Sequence, residues 1–302
     1  MVVKRFFQTI FWSFLNSTYK WWPDSIWLQT LYRLKLHKKL NLKNPQSFTE
    51  KLNWLKIHDH NPLYTILVDK YEVKKYMKKV LGEGMVIPSY GVWHHFDDID
   101  FDKLPDQFVL KCTHDSGRFC IRRDKSSFDK EKAKEKLEKS LEHNFYWWTR
   151  EWPYKNVKPR ILAEKYMEDA KNEVLTDYKF FCFNGEPRMM YLSNDASSHP
   201  HTDFFDMEWN HLPFRMKDPN AEILPPKPLL FDEMKNIAKK LSSGIPHVRV
   251  DLYVINGQIY FGEMTFFHNS GIFSVTPEEW DYKIGEWLEL PSGSHTCVSF
   301  NQ

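Results

Sequence analysis

Asp251 and Glu263 lie in VRVDLYVINGQIYFGEMTFFHNSG (248–271), two strand-like runs joined by Asn256-Gly257. Asn-Gly between alternating apolar residues is a strong hairpin signal. Two registers are open. A two-residue loop sets Asp251 opposite Gly262 and turns Glu263 to the other face. A three-residue loop over 255–257, with Gly257 left-handed in a bulge, sets Arg249 opposite Glu263, Asp251 opposite Phe261 and His247 opposite Thr265. The second register gathers Arg249, Asp251, Glu263 and Thr265 on one face. It leaves Val248, Val250, Leu252, Val254, Met264 and Phe266 for a core, and it is the register expected. Neighbouring carboxylates repel unless something holds them together. Mg²⁺ does so, because it takes one or two carboxylates and completes its shell with water and phosphate oxygens. A surface ion pair from Arg249 to either carboxylate is the alternative.

A second group surrounds Lys111 in FVLKCTHDSGR (108–118). A strand-end lysine beside His114, Asp115, Ser116 and Gly117 suits phosphate oxygens, with backbone N–H groups wrapping the anion. A third is the apolar strand ILAEKYMED (161–169), which ends in Glu164-Lys165-Tyr166-Met167. No GxxxxGK[ST], strand-following GxGxxG or HExxH motif occurs in the chain.

The elements that position these groups read as follows. Residues 1–60 are helical in spacing, broken at Asn44-Pro45-Gln46-Ser47, and Ser47 with Glu50 forms a capping-box pattern. Residues 62–82 read as one helix stopped at Gly82 or Gly84. Residues 106–123 read as strand, loop, strand. In 127–146, Ala133, Leu137, Leu141 and Phe145 recur every fourth residue, marking an amphipathic helix with a solvated charged face. Strands are expected at 160–167, 177–192, 248–254 and 258–267, with a hairpin turn at Asn184-Gly185 and a helix at 231–242. This order gives an α+β protein with antiparallel sheets.

The 302 residues carry a net charge of +2, too even a balance for bulk nucleic-acid binding. Cys112, Cys120, Cys182 and Cys297 form no CxxC pair and are expected as reduced thiols, which suits a cytoplasmic protein. The stretch MVVKRFFQTIFWSFLNSTYKWW has an apolar run too short to span a bilayer. Residues 1–43 hold eight Lys/Arg against one Asp. A helix packed on the main body is expected there, with peripheral contact to an anionic membrane as the alternative. Phe145, Tyr146, Trp147, Trp148 and Trp152 are expected to pack beneath neighbouring structure, the alternative being a sugar-stacking platform. His199 and His201 are expected in an ordinary polar loop, with a metal or substrate site as the alternative.

The three chemical segments, in this order, resemble the ATP-grasp superfamily. With NPQSFTEKLNWLK (44–56), DKYEVKKYM (69–77), IPSYGVW (87–93) and DYKFFCFNGEP (177–187), the chain resembles the TupA-like ATP-grasp family from about residue 30 to 290. That family is associated with cell-surface polysaccharide biosynthesis. The resemblance implies an ATP-grasp fold, two α+β subdomains clasping ATP, with a helical N-terminal region. It divides the chain into 1–60 (helical region), 61–105 (first part of the grasp core), 106–166 (lid with hinge), 167–290 (metal-binding subdomain) and 291–302 (tail).

It also implies roles. Lys111 contacts ATP phosphates and the loop His114–Arg118 closes over them; with one glycine, Gly117, the loop is either stiffer or uses the His114 and Ser116 side chains in place of backbone. Glu164, Lys165, Tyr166 and Met167 form the adenine hinge, read by backbone groups of Lys165 and Met167, with Glu168 or Asp169 near the ribose. Lys179 faces the triphosphate or the acyl phosphate, Arg249 the transferring phosphate, and Asp251, Glu263 and Thr265 hold Mg²⁺. Thr265 stands where the superfamily usually has Asn. The implied reaction joins a carboxylate to an amine through an acyl phosphate, on a small molecule or polysaccharide precursor. The alternatives are a glycosyltransferase, an ATP-grasp sugar kinase and a non-enzymatic binding protein.

Overall fold

The computed structural model describes residues 17–170, 175–193 and 201–291. The basic aromatic stretch at 1–16, His199 and Cys297 lie outside the described residues.

Helix α1 (Asp24–Leu36) buries Trp27, Leu28, Leu31 and Tyr32. Helix α2 (Phe48–His58) begins with the capping box: Glu50 N–H donates to Ser47 Oγ at 3.3 Å and Ser47 N–H to Glu50 Oε2 at 3.3 Å. Two backbone donors that a helix start leaves unpaired are thereby satisfied.

The single helix expected at 62–82 is two, α3 (Leu63–Val68) and α4 (Glu72–Leu81). Asp69 causes the break. Its Oδ1 accepts from Tyr71 N–H at 2.9 Å and Glu72 N–H at 3.3 Å, while its Oδ2 receives Arg160 Nη2 at 2.7 Å. A side chain that caps the next helix and answers a distant arginine outweighs continuous helical propensity. Gly82 ends α4 at φ 90°, as expected.

Sheet one has the order β1-β4-β2-β3: β1 (Ser89–Trp93), β2 (Phe108–Cys112), β3 (Phe119–Arg122) and β4 (Ile161–Lys165). Helix α5 (Lys130–Leu141) covers one face, Ala133 and Leu137 packing with Phe108, Leu110, Cys112, Ile161 and Ala163. It is shorter than the expected 127–146 because Asp129 caps it, accepting Lys132 N–H at 3.0 Å. A short α6 (Tyr146–Thr149) follows.

Sheet two has the order β10-β9-β5-β6-β7-β8: β5 (Asp177–Phe183), β6 (Glu186–Ser193), β7 (Phe204–Asp206), β8 (His211–Leu212), β9 (His247–Ile255) and β10 (Gln258–Thr265). Helix α7 (Phe231–Ser242) packs against β5, β6 and β9, and α8 (Glu279–Trp287) against α2. The main core holds Phe48, Phe180, Phe183, Met190, Phe231, Val248, Val250 and Leu252. Each such side chain taken fully from water stabilises by about 1.5–3 kcal/mol. Both Asn-Gly turns form with two left-handed residues, Asn184 (φ 51°) with Gly185 (φ 82°) and Asn256 (φ 51°) with Gly257 (φ 79°). That geometry matches the twist of the flanking strands.

The aromatics at 145–152 pack inward. Trp27 lies edge-on to Trp148 at 5.3 Å, Tyr146 is buried, and Trp152 stacks on His60 at 4.8 Å. Trp148 and Tyr146, whose hydroxyl donates to Asp24 at 2.6 Å, dock α1 against α6. Among the described residues no helix is long and apolar enough to cross a membrane.

Candidate active site

The β9–β10 register differs from both expectations. The turn is the two-residue loop, pairing Gln258 with Ile255 and Phe261 with Leu252. The bulge lies at Gly262, beyond which Glu263 pairs with Asp251 and Thr265 with Arg249. A regular strand would turn Phe261 and Glu263 to one face. The bulge sends Phe261 to the core and Glu263 to the site. A Cβ on residue 262 would stand 2.9 Å from Asp251 O and 2.9 Å from Tyr253 Cε2, so glycine permits this close approach. Arg249, Asp251, Glu263 and Thr265 therefore share a face, as expected, through a different irregularity.

Strand β5 adds to that face. Lys179 pairs with Asp251 on one side and Tyr191 on the other, giving the row Tyr191–Lys179–Asp251–Glu263 across four strands. Asp251 is buried and doubly bound. Arg249 Nε donates to its Oδ1 at 2.7 Å, and Arg249 Nη2 (2.6 Å) and Lys179 Nζ (2.9 Å) to its Oδ2. Lys179 also reaches Asp177 Oδ2 at 2.8 Å. Burial lowers the Lys179 pKa, but Asp251 and Asp177 outweigh it and hold the ammonium well above its ordinary range. Arg249 is raised in the same way, its burial outweighed by Asp251.

Thr265, expected among the metal-holding residues, lies beside Glu263 and Arg249. Its hydroxyl accepts from Arg249 Nη2 at 3.0 Å and donates to Glu263 Oε1 at 3.2 Å, so it orients those two groups. Glu263 Oε1 also receives Arg249 Nη2 at 3.1 Å, and among the described residues no hydrogen bond reaches Oε2. The Glu263 side chain is 46% exposed. Its surroundings push its pKa up by desolvation, yet Arg249, Lys70, Lys179 and Lys111 together hold it down at about 2.

The cations around Glu263 come from both sheets and from the α3–α4 break. Lys111, on β2, pairs with Glu164 on β4, and Lys74 holds the other Glu164 oxygen at 2.7 Å. Burial pushes the Glu164 pKa up, and the two lysines bring it below the usual carboxylate range. Lys70 donates to the Asp115 carbonyl in the loop after β2. Burial lowers its pKa, with Glu263, Asp115 and Glu164 acting against that and Lys111 adding to it. Sequence reading missed Lys70 and Lys74, because only the helix break and the distant Glu164 give them a place.

The loop His114–Arg118 departs from the expectation at one residue. His114 is buried with Nε2 3.1 Å from the Ser140 carbonyl, and desolvation lowers its pKa, so its side chain packs inward against α5. Ser116 and Gly117 are exposed, Gly117 at φ 77°, and Ser116 N–H donates to Asp115 Oδ1 at 2.7 Å. In the segment expected as the hinge, Lys165 N–H donates to Pro88 O at 2.9 Å and is taken up in the sheet. Tyr166 has Arg123 over its ring at 5.4 Å. Asp169 Oδ2 accepts Asn256 N–H at 2.8 Å and Asn256 Nδ2 reaches Glu168 O at 3.2 Å, so the segment after β4 is latched to the hairpin turn. His201 is exposed.

Among the described residues no group of three or more His, Cys, Asp and Glu side chains gathers as a metal cluster. A pair of opposed carboxylates still fits Mg²⁺, whose remaining positions go to water and phosphate. Glu263 Oε2 is the open donor, with Asp251 behind it. A family model described as TupA-like ATPgrasp matches residues 50–289. The chain belongs to the TupA-like ATP-grasp family. Its α+β fold with two antiparallel sheets is the ATP-grasp fold.

The family member is similar to D-alanine–D-alanine ligase from Bacillus anthracis complexed with ATP, at 19% identity and TM-score 0.38 over 67% of this chain and 55% of that one. It is also similar to D-alanine–D-alanine ligase from Helicobacter pylori, at 15% identity and TM-score 0.41 over 74% and 62%. A third similar structure is the ATP-grasp ligase PsnB complexed with minimal precursor, Mg and ADP, at 10% identity and TM-score 0.37 over 72% and 57%. In each case this chain spans less than two thirds of the other protein's length. No curated protein matches it.

Proposed function

We propose that this ATP-grasp protein is an ATP-dependent carboxylate–amine ligase that forms an amide through an acyl phosphate. The observation that carries the reading is the convergence of Lys70, Lys111, Lys179 and Arg249, from four separate segments, on the half-exposed Glu263. Four cations gathered beside one accessible carboxylate suit a polyphosphate that arrives with its metal, the cations facing phosphate oxygens and the carboxylate the metal.

In this reading Lys111 and Lys70 hold phosphate oxygens from the lid side. Exposed Val109-side neighbours on the same sheet face, Ile121 and Phe119, offer apolar surface for a base, and the Lys165 carbonyl and Met167 backbone its edge. Arg249 and Lys179 stabilise charge on the transferring group. Asp251 and Glu263 would hold Mg²⁺, which when bound supplies Lewis-acid neutralisation of phosphate charge. The substrate carboxylate attacks the γ-phosphorus, releasing ADP. The amine then attacks the activated carbonyl, phosphate leaves, and the amine proton passes to solvent or phosphate. A closed lid keeps water from the acyl phosphate. The polysaccharide association of the family favours a hexuronic acid or an amino-acid-bearing sugar as the acid.

The same reading includes cytoplasmic placement with peripheral contact to an anionic membrane through the basic N-terminal segment. Trp21 is 87% and Ile26 50% exposed, beside exposed Lys20 and Arg33, and this mixture suits a headgroup layer.

Thermal unfolding with Mg²⁺ and a non-hydrolysable ATP analogue tests the central claim. Ligand at about 100 times its Kd should add about 2.7 kcal/mol, a shift of several degrees. The shift should need Mg²⁺ and vanish in Asp251→Asn. Hydroxylamine trapping then separates an acyl phosphate from the stable phosphoester of a kinase. No shift up to millimolar ligand would overturn the reading.

A further inference from the structure

The hairpin that carries Arg249 and Glu263 runs into a strained turn. Asn269 (φ 44°, ψ 36°) and Ser270 (φ 55°, ψ 26°) are both left-handed, followed by Gly271 at φ 58°. Consecutive non-glycine residues in this region are strained and persist only where surrounding structure over-determines them. Here it does. Lys56 Nζ donates to Ser270 O at 2.7 Å and to Thr149 O at 2.8 Å. Asn53 Nδ2 donates to Gly271 O at 2.7 Å, and Ser270 Oγ to Glu151 Oε1 at 2.6 Å. The turn presents one side chain to the site. His268 Nδ1 lies 2.9 Å from Arg249 Nη1, and its ring is walled by Phe181 (5.0 Å, edge-on) and Phe273 (5.3 Å, edge-on).

Arginine offers donors only, so Nδ1 must accept and the single imidazole proton must sit on Nε2. Asn269 Nδ2 stands 3.1 Å from Nε2, and since two N–H groups cannot bond each other, the Nε2–H tautomer requires the amide turned over so that Oδ1 accepts that proton. The guanidinium is thereby held on three sides, by Asp251 through Nε and Nη2, by Glu263 and Thr265 through Nη2, and by His268 through Nη1. We propose that His268 is a positioning residue, fixed by the strained turn as the neutral Nε2–H tautomer, that sets the plane of the Arg249 guanidinium against the transferring phosphoryl group. Burial, reinforced by Arg249, keeps its pKa well below the ordinary histidine range, in keeping with a neutral ring.

The proposal rests on the ATP-dependent reading for its catalytic part and on geometry alone for the tautomer, and two measurements separate them. Imidazole nitrogen NMR of the full chain should show Nδ1 unprotonated and Nε2 protonated, unchanged from about pH 5 to pH 9. That arm needs no turnover, so it stands if the ligase reading fails. In ATP turnover, His268→Leu should lower kcat about 10²-fold with KM for ATP little changed, as a misplaced catalytic group does. His268→Asn keeps an acceptor near the Nδ1 position and should recover kcat to within about tenfold of wild type. Titration of the ring inside that pH range, a proton on Nδ1, or equal kcat in the Leu and Asn variants would overturn the proposal.

Discussion

Asp251 stands directly opposite Glu263, and the bulge at Gly262 lets the strand that delivers Phe261 to the core deliver Glu263 to the site. The two strands approach so closely there that any Cβ on residue 262 meets the Asp251 carbonyl at 2.9 Å. Backbone cannot retreat as a flexible side chain can. Gly262→Ala should therefore destabilise the fold by about 1–3 kcal/mol and separate the two carboxylates. A lowered denaturant midpoint together with loss of the Mg²⁺-dependent thermal shift checks this. An unchanged shift would mean that the pair tolerates displacement.

Lys111 and Lys70 act on Glu263 from the side of sheet one, and each also holds a group there, Glu164 and the Asp115 carbonyl. Removing one preorganised electrostatic contact typically costs about 10²–10³-fold in rate. Lys111→Ala and Lys70→Ala should each reduce ADP release by that order. Circular dichroism and the unfolding midpoint report whether each variant is folded. Near-normal turnover in folded Lys111→Ala would remove this lysine from the mechanism.

What the sequence made legible was local. Ser47 and Glu50 cap α2 because both partners lie within one turn, and α7 has the expected bounds, 231–242, because its apolar face repeats cleanly. Both Asn-Gly turns formed. The position of the bulge was missed, although a signal was present: apolar spacing passes from Ile259 and Phe261 to Met264 and Phe266, a change of parity centred on Gly262. Lys70 was missed because Asp69, completed by Arg160 far along the chain, breaks the helix. His114 was misplaced because its partner, Ser140, lies on a helix whose docking cannot be read from local pattern. Lys111, Lys179, Arg249, Asp251 and Glu263 were all legible from their strands and come together in space.

The exposed Trp21 and Ile26 beside Lys20 and Arg33 lead to a test with vesicles. Full-length protein should sediment with vesicles containing anionic lipid, less with neutral vesicles, and less again as salt rises, because screening weakens exposed charges. Replacing Trp21 and Ile26 by Ser should reduce sedimentation while leaving the nucleotide-dependent thermal shift intact. Equal sedimentation with neutral and anionic vesicles, or none with either, would remove the membrane contact.

Glu263 is held at about pKa 2 by four cations against a desolvation effect that acts the other way. A carboxyl whose folded pKa is depressed adds stability that is fully present above its unfolded value of about 4.3 and is lost as pH falls through the folded value. Glu263→Gln should therefore be less stable than wild type at neutral pH, and the gap should close as pH drops from about 4.3 toward 2. Because the side chain is 46% exposed, part of its interaction is screened, and salt should narrow the neutral-pH gap as well. Unfolding midpoints of both proteins across this range, at low and high salt, make the comparison. A gap independent of pH would mean that the variant acts through packing and not through charge. A gap that widens in acid would reverse the sign argued here, and would indicate that desolvation, not the surrounding cations, governs this carboxylate.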